Sequence, residues 1–399
     1  MDAKELTISR RGLLRGSLGV AGMSLVVGPL AACAPTGGGS ATGPIVIGGI
    51  SDLTGGLAGL GIAQQQMGLL AIKNLNAKGG VLGRKIEINY VDGETDPATW
   101  ALRAKRLLDL PLVIGGLTGA ERGAIKDIVT TRTMYIAPGY TEDAGANCLD
   151  LMFGTGAVPE QFIIPLVDFL VEKTGGGTVY VLGSDYSYPK GTNKVAKARF
   201  AELGVKVVGE DYFPLDATTF ASAVSKINDL KPDIVFSNVI PPTCFTLVKQ
   251  IREAGLWDKI VFATPGSDEG WIAGGGADVD GVYACMDYFD SVDDAVSTKI
   301  RDQYYEEYGK TYPISSAGSA TGVYRGIMLW ADAVEKAGST DPRKVAETMG
   351  TASTDDAPGG PATMVAGTHN AKIQSYIGQL SATGVKIIKT VAPVDPPQC

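Results

Sequence analysis

Short apolar runs alternate with helix-period segments along most of this chain, and that alternation limits the fold more than any other feature. Residues 45–50 (IVIGGI) are bounded by Pro44 and Ser51-Asp52 and predict a buried strand. A helix follows over about 63–78, with Met67, Leu70, Ala71 and Leu75 on one face and Gly79-Gly80 ending it. The series continues with strands predicted at 85–90, 112–114 and 133–137 and helices at 98–108 and 120–131. A second run repeats it, with strands at 178–182, 205–212, 233–239 and 259–263 between helices at 161–173 and 190–203 and one that Asp216 would cap. Two such runs of about 110 residues predict an α/β protein with two parallel sheets built from βαβ units. Residues 283–350 read as mostly helical, and the tail from 362 to 391 as short strands. The length of 399 residues accommodates two or three domains at roughly 100 to 200 residues each.

Composition excludes several classes of function. The formal net charge is -8, from 35 Lys+Arg against 43 Asp+Glu, and no basic cluster follows residue 35, so no nucleic-acid partner is expected. A single histidine, His369, removes most histidine-based zinc sites and leaves one Ser-His or Cys-His pair at most. No metal and no cofactor is expected. The corner Gly55-Gly56-Leu57-Ala58-Gly59-Leu60-Gly61 spells neither GxGxxG nor a P-loop, so a nucleotide reading is weak there. It still lies at the carboxyl edge of a parallel sheet, where such sheets place ligands.

The N-terminus reads as an address. Ser9-Arg10-Arg11-Gly12-Leu13-Leu14-Arg15 is a twin-arginine pattern, and the apolar run over 16–30 is shorter than the roughly 20 residues a membrane span needs. Leu30-Ala31-Ala32-Cys33 resembles a lipobox, in which Cys33 becomes the lipidated first residue. Residues 1–33 are thus expected to be a twin-arginine lipoprotein signal, and residues 34–44 a flexible tether. The protein would be exported and held by lipid at the outer face of the cell membrane or in the periplasm. Cys148, Cys244, Cys285 and Cys399 then remain, and they allow three full pairings among which the sequence does not choose.

Three phrases carry a resemblance. They are the opening over 47–61, Asn76-Ala77-Lys78-Gly79-Gly80-Val81-Leu82-Gly83-Arg84, and Asp92-Gly93-Glu94-Thr95-Asp96-Pro97. Together they resemble the type I periplasmic binding proteins, the solute receptors of ABC importers for branched-chain amino acids and amides. Gly183-Ser184-Asp185-Tyr186-Ser187-Tyr188-Pro189, the stretch 209–215 and His369-Asn370 look like the urea and short-chain amide branch. The resemblance implies two lobes joined by hinge strands, with lobe 1 at 45–153 and 284–358 and lobe 2 at 154–283 and 359–399. It implies no enzyme activity, ABC permease and ATPase subunits as partners, and a small-molecule solute in the cleft. Carried over, ligand-binding residues are Thr118, Gly119, Ala120, Gly139, Tyr140 and Thr141 from lobe 1, with Tyr186, Tyr188, Asn238, Asp268 and Glu269 from lobe 2. Urea or a short amide is the favoured solute and an amino acid the alternative. An exported amide hydrolase and a ligand sensor are the rival classes; no GxSxG elbow is present to support the hydrolase.

Overall fold

The computed structural model describes residues 43–399, so Cys33 and the signal expected over 1–33 lie outside the described residues. The first lobe is built on β1 (Ile45–Ser51), α1 (Ala58–Ala77), β2 (Ile86–Asp92), α2 (Pro97–Ala104), β3 (Leu112–Gly115), α3 (Gly119–Val129), β4 (Met134–Ala137) and β5 (Met152–Gly154). Its strands form one parallel sheet in the order β2-β1-β3-β4-β5. Such sheets are covered on both faces, and the strands are accordingly apolar and buried, as β3 and β4 are at every position. The helix starts are written locally. Asp96 accepts from the Thr99 N–H ahead of Pro97, and Thr118 and Glu121 form a reciprocal capping box at α3.

The second lobe contains α4 (Pro159–Thr174), β6 (Thr178–Ser184), α5 (Ser187–Glu202), β7 (Lys206–Phe213), α6 (Ala221–Leu230), β8 (Ile234–Asn238), α7 (Thr243–Glu253), β9 (Val261–Ala263), α8 (Glu269–Gly275) and β10 (Tyr283–Met286). The chain then returns to the first lobe with α9 (Ala295–Tyr308), α10 (Ser319–Ala337) and α11 (Pro342–Met349). A three-stranded sheet follows, of β11 (Ser353–Thr354), β12 (Ala362–Met364) and β13 (Ala371–Lys372). Last come β14 (Ser375–Ser381) and β15 (Gly384–Val391), antiparallel additions to the edge of a seven-stranded sheet ordered β15-β14-β10-β9-β8-β6-β7.

Several sequence expectations need adjustment. Asp216 is exposed and caps nothing: α6 starts after Phe220, whose buried ring packs 4.7 Å from that of Phe213 and so sets the start of the helix. All of β10 pairs within the second sheet, so the return to the first lobe follows Met286. β12 pairs with β11 on one side and β13 on the other, beside α10, and the chain enters the second sheet only at Ser375. Of the cysteines, Cys148 and Cys399 are joined as a disulfide, with Cα atoms 5.6 Å apart, while Cys244 and Cys285 are buried free thiols.

The chain crosses between lobes three times, over 155–158, over 287–294 and at 373–374. One buried ion pair ties two of these crossings to α10. Arg325 Nη2 donates to Asp287 Oδ2 at 2.6 Å and Nη1 to the Thr155 carbonyl at 2.7 Å. Thr321 Oγ1 donates to the same Asp287 oxygen, at 2.9 Å. The third crossing is tied near its start: Gln161 Nε2 donates to the Ala371 carbonyl at 2.9 Å, and Gly154 N to the His369 carbonyl at 2.8 Å.

Candidate functional site

The corners at the carboxyl ends of both sheets form the candidate site. After β3 the chain turns at Gly115 and Gly116, both in the left-handed half of φ, into residues 117–121. A Cβ on Gly115 would strike the Ile50 carbonyl, so this corner needs glycine for packing as well as conformation. Thr118 Oγ1 accepts from Glu121 N at 3.3 Å. Glu121 reaches back, and its Oε2 accepts from Leu117 N at 2.7 Å and Thr118 N at 3.0 Å. Glu121 is buried beside Asp52, whose Oδ1 accepts from Trp100 Nε1 and Thr95 N, both at 2.8 Å. Asp52 Oδ2 is buried without a partner. Burial, and then the neighbouring Asp52 carboxylate, push the Glu121 carboxyl up to about 7, so two adjacent acids share this pocket at the cost of holding a proton near neutrality. The outcome for recognition is concrete. The chain's own carboxylate occupies two of the loop's N–H groups, and Gly119 and Ala120 carry first-turn N–H groups that have no intrahelical acceptor.

The next corner differs from expectation. Tyr140 is buried, donates to Asp287 Oδ1 at 2.6 Å and accepts from Asp287 N at 2.7 Å, so its hydroxyl is committed to the hinge. Thr141 is equally buried and donates to the Asp143 carbonyl at 2.8 Å. Gly139 lies against the preceding loop, where a Cβ would stand 2.9 Å from the Leu117 carbonyl oxygen.

In the second lobe Tyr186 and Tyr188 stand at the start of α5, half-buried, with ring centroids 6.5 Å apart and planes at 24°. Burial and then the Glu142 carboxylate push Tyr186 up to about 12, and burial pushes Tyr188 higher still. Neither hydroxyl has a hydrogen-bond partner among the described residues. Glu142 belongs to the first lobe and had no place in the sequence reading. Both of its oxygens accept from Arg122 Nη2, at 3.3 and 3.2 Å. A Cβ on Gly119 would lie 3.2 Å from Glu142 Oε1, and one on Gly191 of α5 would lie 2.8 Å from Glu142 Cβ. Glu142 therefore touches both lobes, between Gly119 on one side and the tyrosine-bearing turn on the other. The available signal was an acid directly after the Tyr140-Thr141 corner together with an arginine one turn into α3.

The remaining expected residues are engaged inside the protein. Asn238 Nδ2 donates to Asn193 Oδ1 at 2.6 Å, and Asn193 in turn donates to the Leu182 carbonyl at 3.0 Å, which ties α5 to its sheet. Asp268 and Glu269 face the first lobe, accepting from Ala317 N at 2.7 Å and from Ser315 Oγ at 3.1 Å. His369 packs its ring 5.0 Å from Phe153, with Nδ1 2.9 Å from the Met152 carbonyl oxygen. Two surface grooves of about 540 and 450 Å³ lie elsewhere on the second lobe, at Phe169–Tyr283–Ile388 and at Phe245–Gly274–Asp278.

Comparison with known proteins agrees with this architecture. The profile of the periplasmic binding protein family matches residues 44–385. An amino acid binding protein of Pseudomonas aeruginosa is 26% identical over 318 residues, 76% of this chain and 81% of the relative. The Leu/Ile/Val-binding protein homolog 1 of Brucella abortus is 25% identical over 78% of this chain and 84% of its own length. Among solved structures, a leucine binding protein from Thermotoga maritima superposes with TM-score 0.77 at 22% identity, covering 88% of this chain and 99% of that one. A solute binding protein of an R. palustris ABC transporter, in complex with benzoate, gives 0.77 at 21% identity, covering 89% and 98%. The two-lobed sheets, their order and the extent of the match lead to one conclusion: the chain belongs to the periplasmic binding protein family and is a type I solute-binding protein of an ABC transporter, a transport receptor rather than an enzyme.

Proposed function

We propose that the chain is an exported, lipid-anchored receptor that closes its lobes over a small uncharged polar solute, urea or a short amide foremost, and delivers it to a permease. The observation that carries the choice of solute is the Glu121 carboxylate on the Leu117 and Thr118 N–H groups. A solute carboxylate arriving at this corner finds the Leu117 and Thr118 N–H groups already taken. The other acids named at the corners have partners as well: Glu142 has Arg122, Asp268 has Ala317 N, and Glu269 has Ser315. A neutral amide suits what is left. Its carbonyl can accept from Gly119 and Ala120, and its N–H groups can donate to the Tyr186 and Tyr188 oxygens or to Glu142. Unmatched polar groups cost about 1–3 kcal/mol each, so these pairings set specificity.

An amino acid is the second reading, favoured by the names of the relatives and by the Arg122–Glu142 pair, into which a zwitterion could insert one charge against each partner. Calorimetry with urea, acetamide, leucine and benzoate decides. Urea has four non-hydrogen atoms, and at about 1.5 kcal/mol per atom it is limited to a Kd of some tens of micromolar. Tyr188→Phe should weaken amide binding by about 1 kcal/mol, roughly fivefold. Leucine binding with neither amide detected would overturn the assignment.

The anchor rests on Leu30-Ala31-Ala32-Cys33 after the apolar run. Cys33→Ser should release the protein from the membrane or leave it as precursor; lipid label still incorporated into that variant would sink the idea.

A further inference from the structure

The first turn of α8 in the second lobe touches a bend of the first. That bend, residues 315–318 before α10, has φ of 33° at Ser316, 55° at Ala317 and 74° at Gly318. Two successive non-glycine residues in this region are strained and persist only where surrounding contacts fix them. The fixing contacts come from across the cleft. Asp268 Oδ2 accepts from Ala317 N at 2.7 Å while its Oδ1 accepts from Gly270 N at 2.9 Å. Glu269 Oε2 accepts from Ser315 Oγ at 3.1 Å, and its Oε1 accepts from Asp290 N in the second crossing at 2.8 Å.

The charges around this contact do not balance. Asp268, Glu269 and Asp290 are three carboxyl groups in one water-poor junction. Asp290 Oδ2 accepts from the Tyr305 hydroxyl, but its Oδ1 is buried with no partner, as is the Tyr288 hydroxyl. Among the described residues the cation facing them is Arg301, which gives Nη1 to the Asp290 backbone carbonyl and Nε to Asp302. Like charges confined in low dielectric cannot all ionise.

We propose that Asp268 and Glu269 form a proton-dependent clasp, which holds the second lobe on the Ser315–Ala317 bend while the Glu269–Asp290 pair retains a proton and lets go when that proton leaves. Burial first, then the Asp290 and Asp268 carboxylates, push Glu269 up to about 8 with the clasp made, against an ordinary 4.5. With the lobes apart and the junction wet, Glu269 returns toward its ordinary range. Closure then takes up a proton. The stabilisation of the closed form is complete below about pH 4.5 and is lost as pH rises through 8, with the closed-to-open ratio falling by up to about tenfold per pH unit between. Any solute bound by closure is held more tightly in acid, whatever its identity.

The test needs no solute. The radius of gyration of the full chain is measured by small-angle scattering from pH 5.5 to 9, with circular dichroism confirming the fold at each point. The wild type should expand as pH passes 8. Glu269→Gln should stay compact throughout, because the amide keeps an acceptor for Asp290 N and a polar partner for Ser315 without a charge. Glu269→Ala should not be rescued in this way. A wild type whose radius is constant over the range, whether compact or expanded, overturns the proposal, as does a Gln variant that tracks the wild type. Should the Gln variant not fold, Ser315→Ala decides: an expansion midpoint moved to lower pH supports the clasp, and an unmoved midpoint overturns it.

Discussion

Arg325→Met should lower the free energy of unfolding by about 3–5 kcal/mol. Arg325 and Asp287 are both almost fully buried, with side-chain exposures of 2% and 0%. The guanidinium neutralises Asp287 and also holds the Thr155 carbonyl, so it stitches the first crossing to the second through α10. Methionine fills much of the volume and leaves a carboxylate in the interior with only the Tyr140 and Thr321 hydroxyls and its own N–H to Tyr140 for company. An uncompensated buried charge is among the costliest single changes available. Adding Asp287→Asn to the variant should recover part of the loss, since the orphaned group is then neutral. Guanidinium chloride unfolding followed by tryptophan fluorescence reads the effect, with Trp100 and Trp330 reporting on the first lobe and Trp257 and Trp271 on the second. A loss below about 1 kcal/mol would show that water or a rearranged neighbour replaces the guanidinium.

The second large effect is expected from Cys148 and Cys399. Their disulfide spans 251 residues of sequence and returns the end of the chain, after β15 in the second lobe, to the loop before β5 in the first. Cys399 N also donates to the Gly367 carbonyl at 2.9 Å. Cross-links of native chains typically contribute about 2–4 kcal/mol, chiefly by restricting the unfolded state. The Cys148→Ser/Cys399→Ser protein should therefore melt roughly 3–5 °C lower. The wild type in reductant should match it once thiol titration shows four free cysteines in the described chain. A melting temperature unchanged within a degree would mean that the hydrogen bonds of the tail suffice.

These features were legible in the sequence to different degrees, for physical reasons. Periodicity exposes burial, so the strands from IVIGGI onward and the amphipathic helices could be read directly. β5 could not: three residues carry no period, and its place is set by pairing with β4. Tyr186 and Tyr188 were named through the resemblance carried by Gly183–Pro189, not through any periodicity of their own. Tyr140 was read as facing solute, yet its hydroxyl meets Asp287, 147 residues further along the chain. Sequence shows which side chains occupy a corner but not which way a hydroxyl points. Asp268 and Glu269 were read as open to solute for the same reason, since their partners Ala317 and Ser315 belong to the other lobe. Glu142 escaped altogether because its meaning comes from Gly191, a neighbour only in space. The four cysteines left their pairing open, and the fold settles it by bringing the last residue beside Cys148.

Helix α10 shows what this arrangement asks of inheritance. Gly318, Gly322 and Gly326 recur every four residues along one side of it. A Cβ would drive into the Tyr140 ring at the first and the Pro138 carbonyl at the second, and would press on Ile114 and Ile136, each at 2.9 Å, at the third. The three partners are a hinge residue, a corner of the cleft and the core of the first sheet. Thr321 and Arg325 sit one position before two of these glycines and hold Asp287. The tyrosine turn, whose two rings are only half-buried, carries no comparable constraint. A single methyl group added on this side of α10 would disturb the hinge at Gly318, the cleft corner at Gly322 or the core at Gly326. Substitutions tolerated in a saturation library should accordingly crowd the cleft-facing turns and leave this stripe of α10 blank.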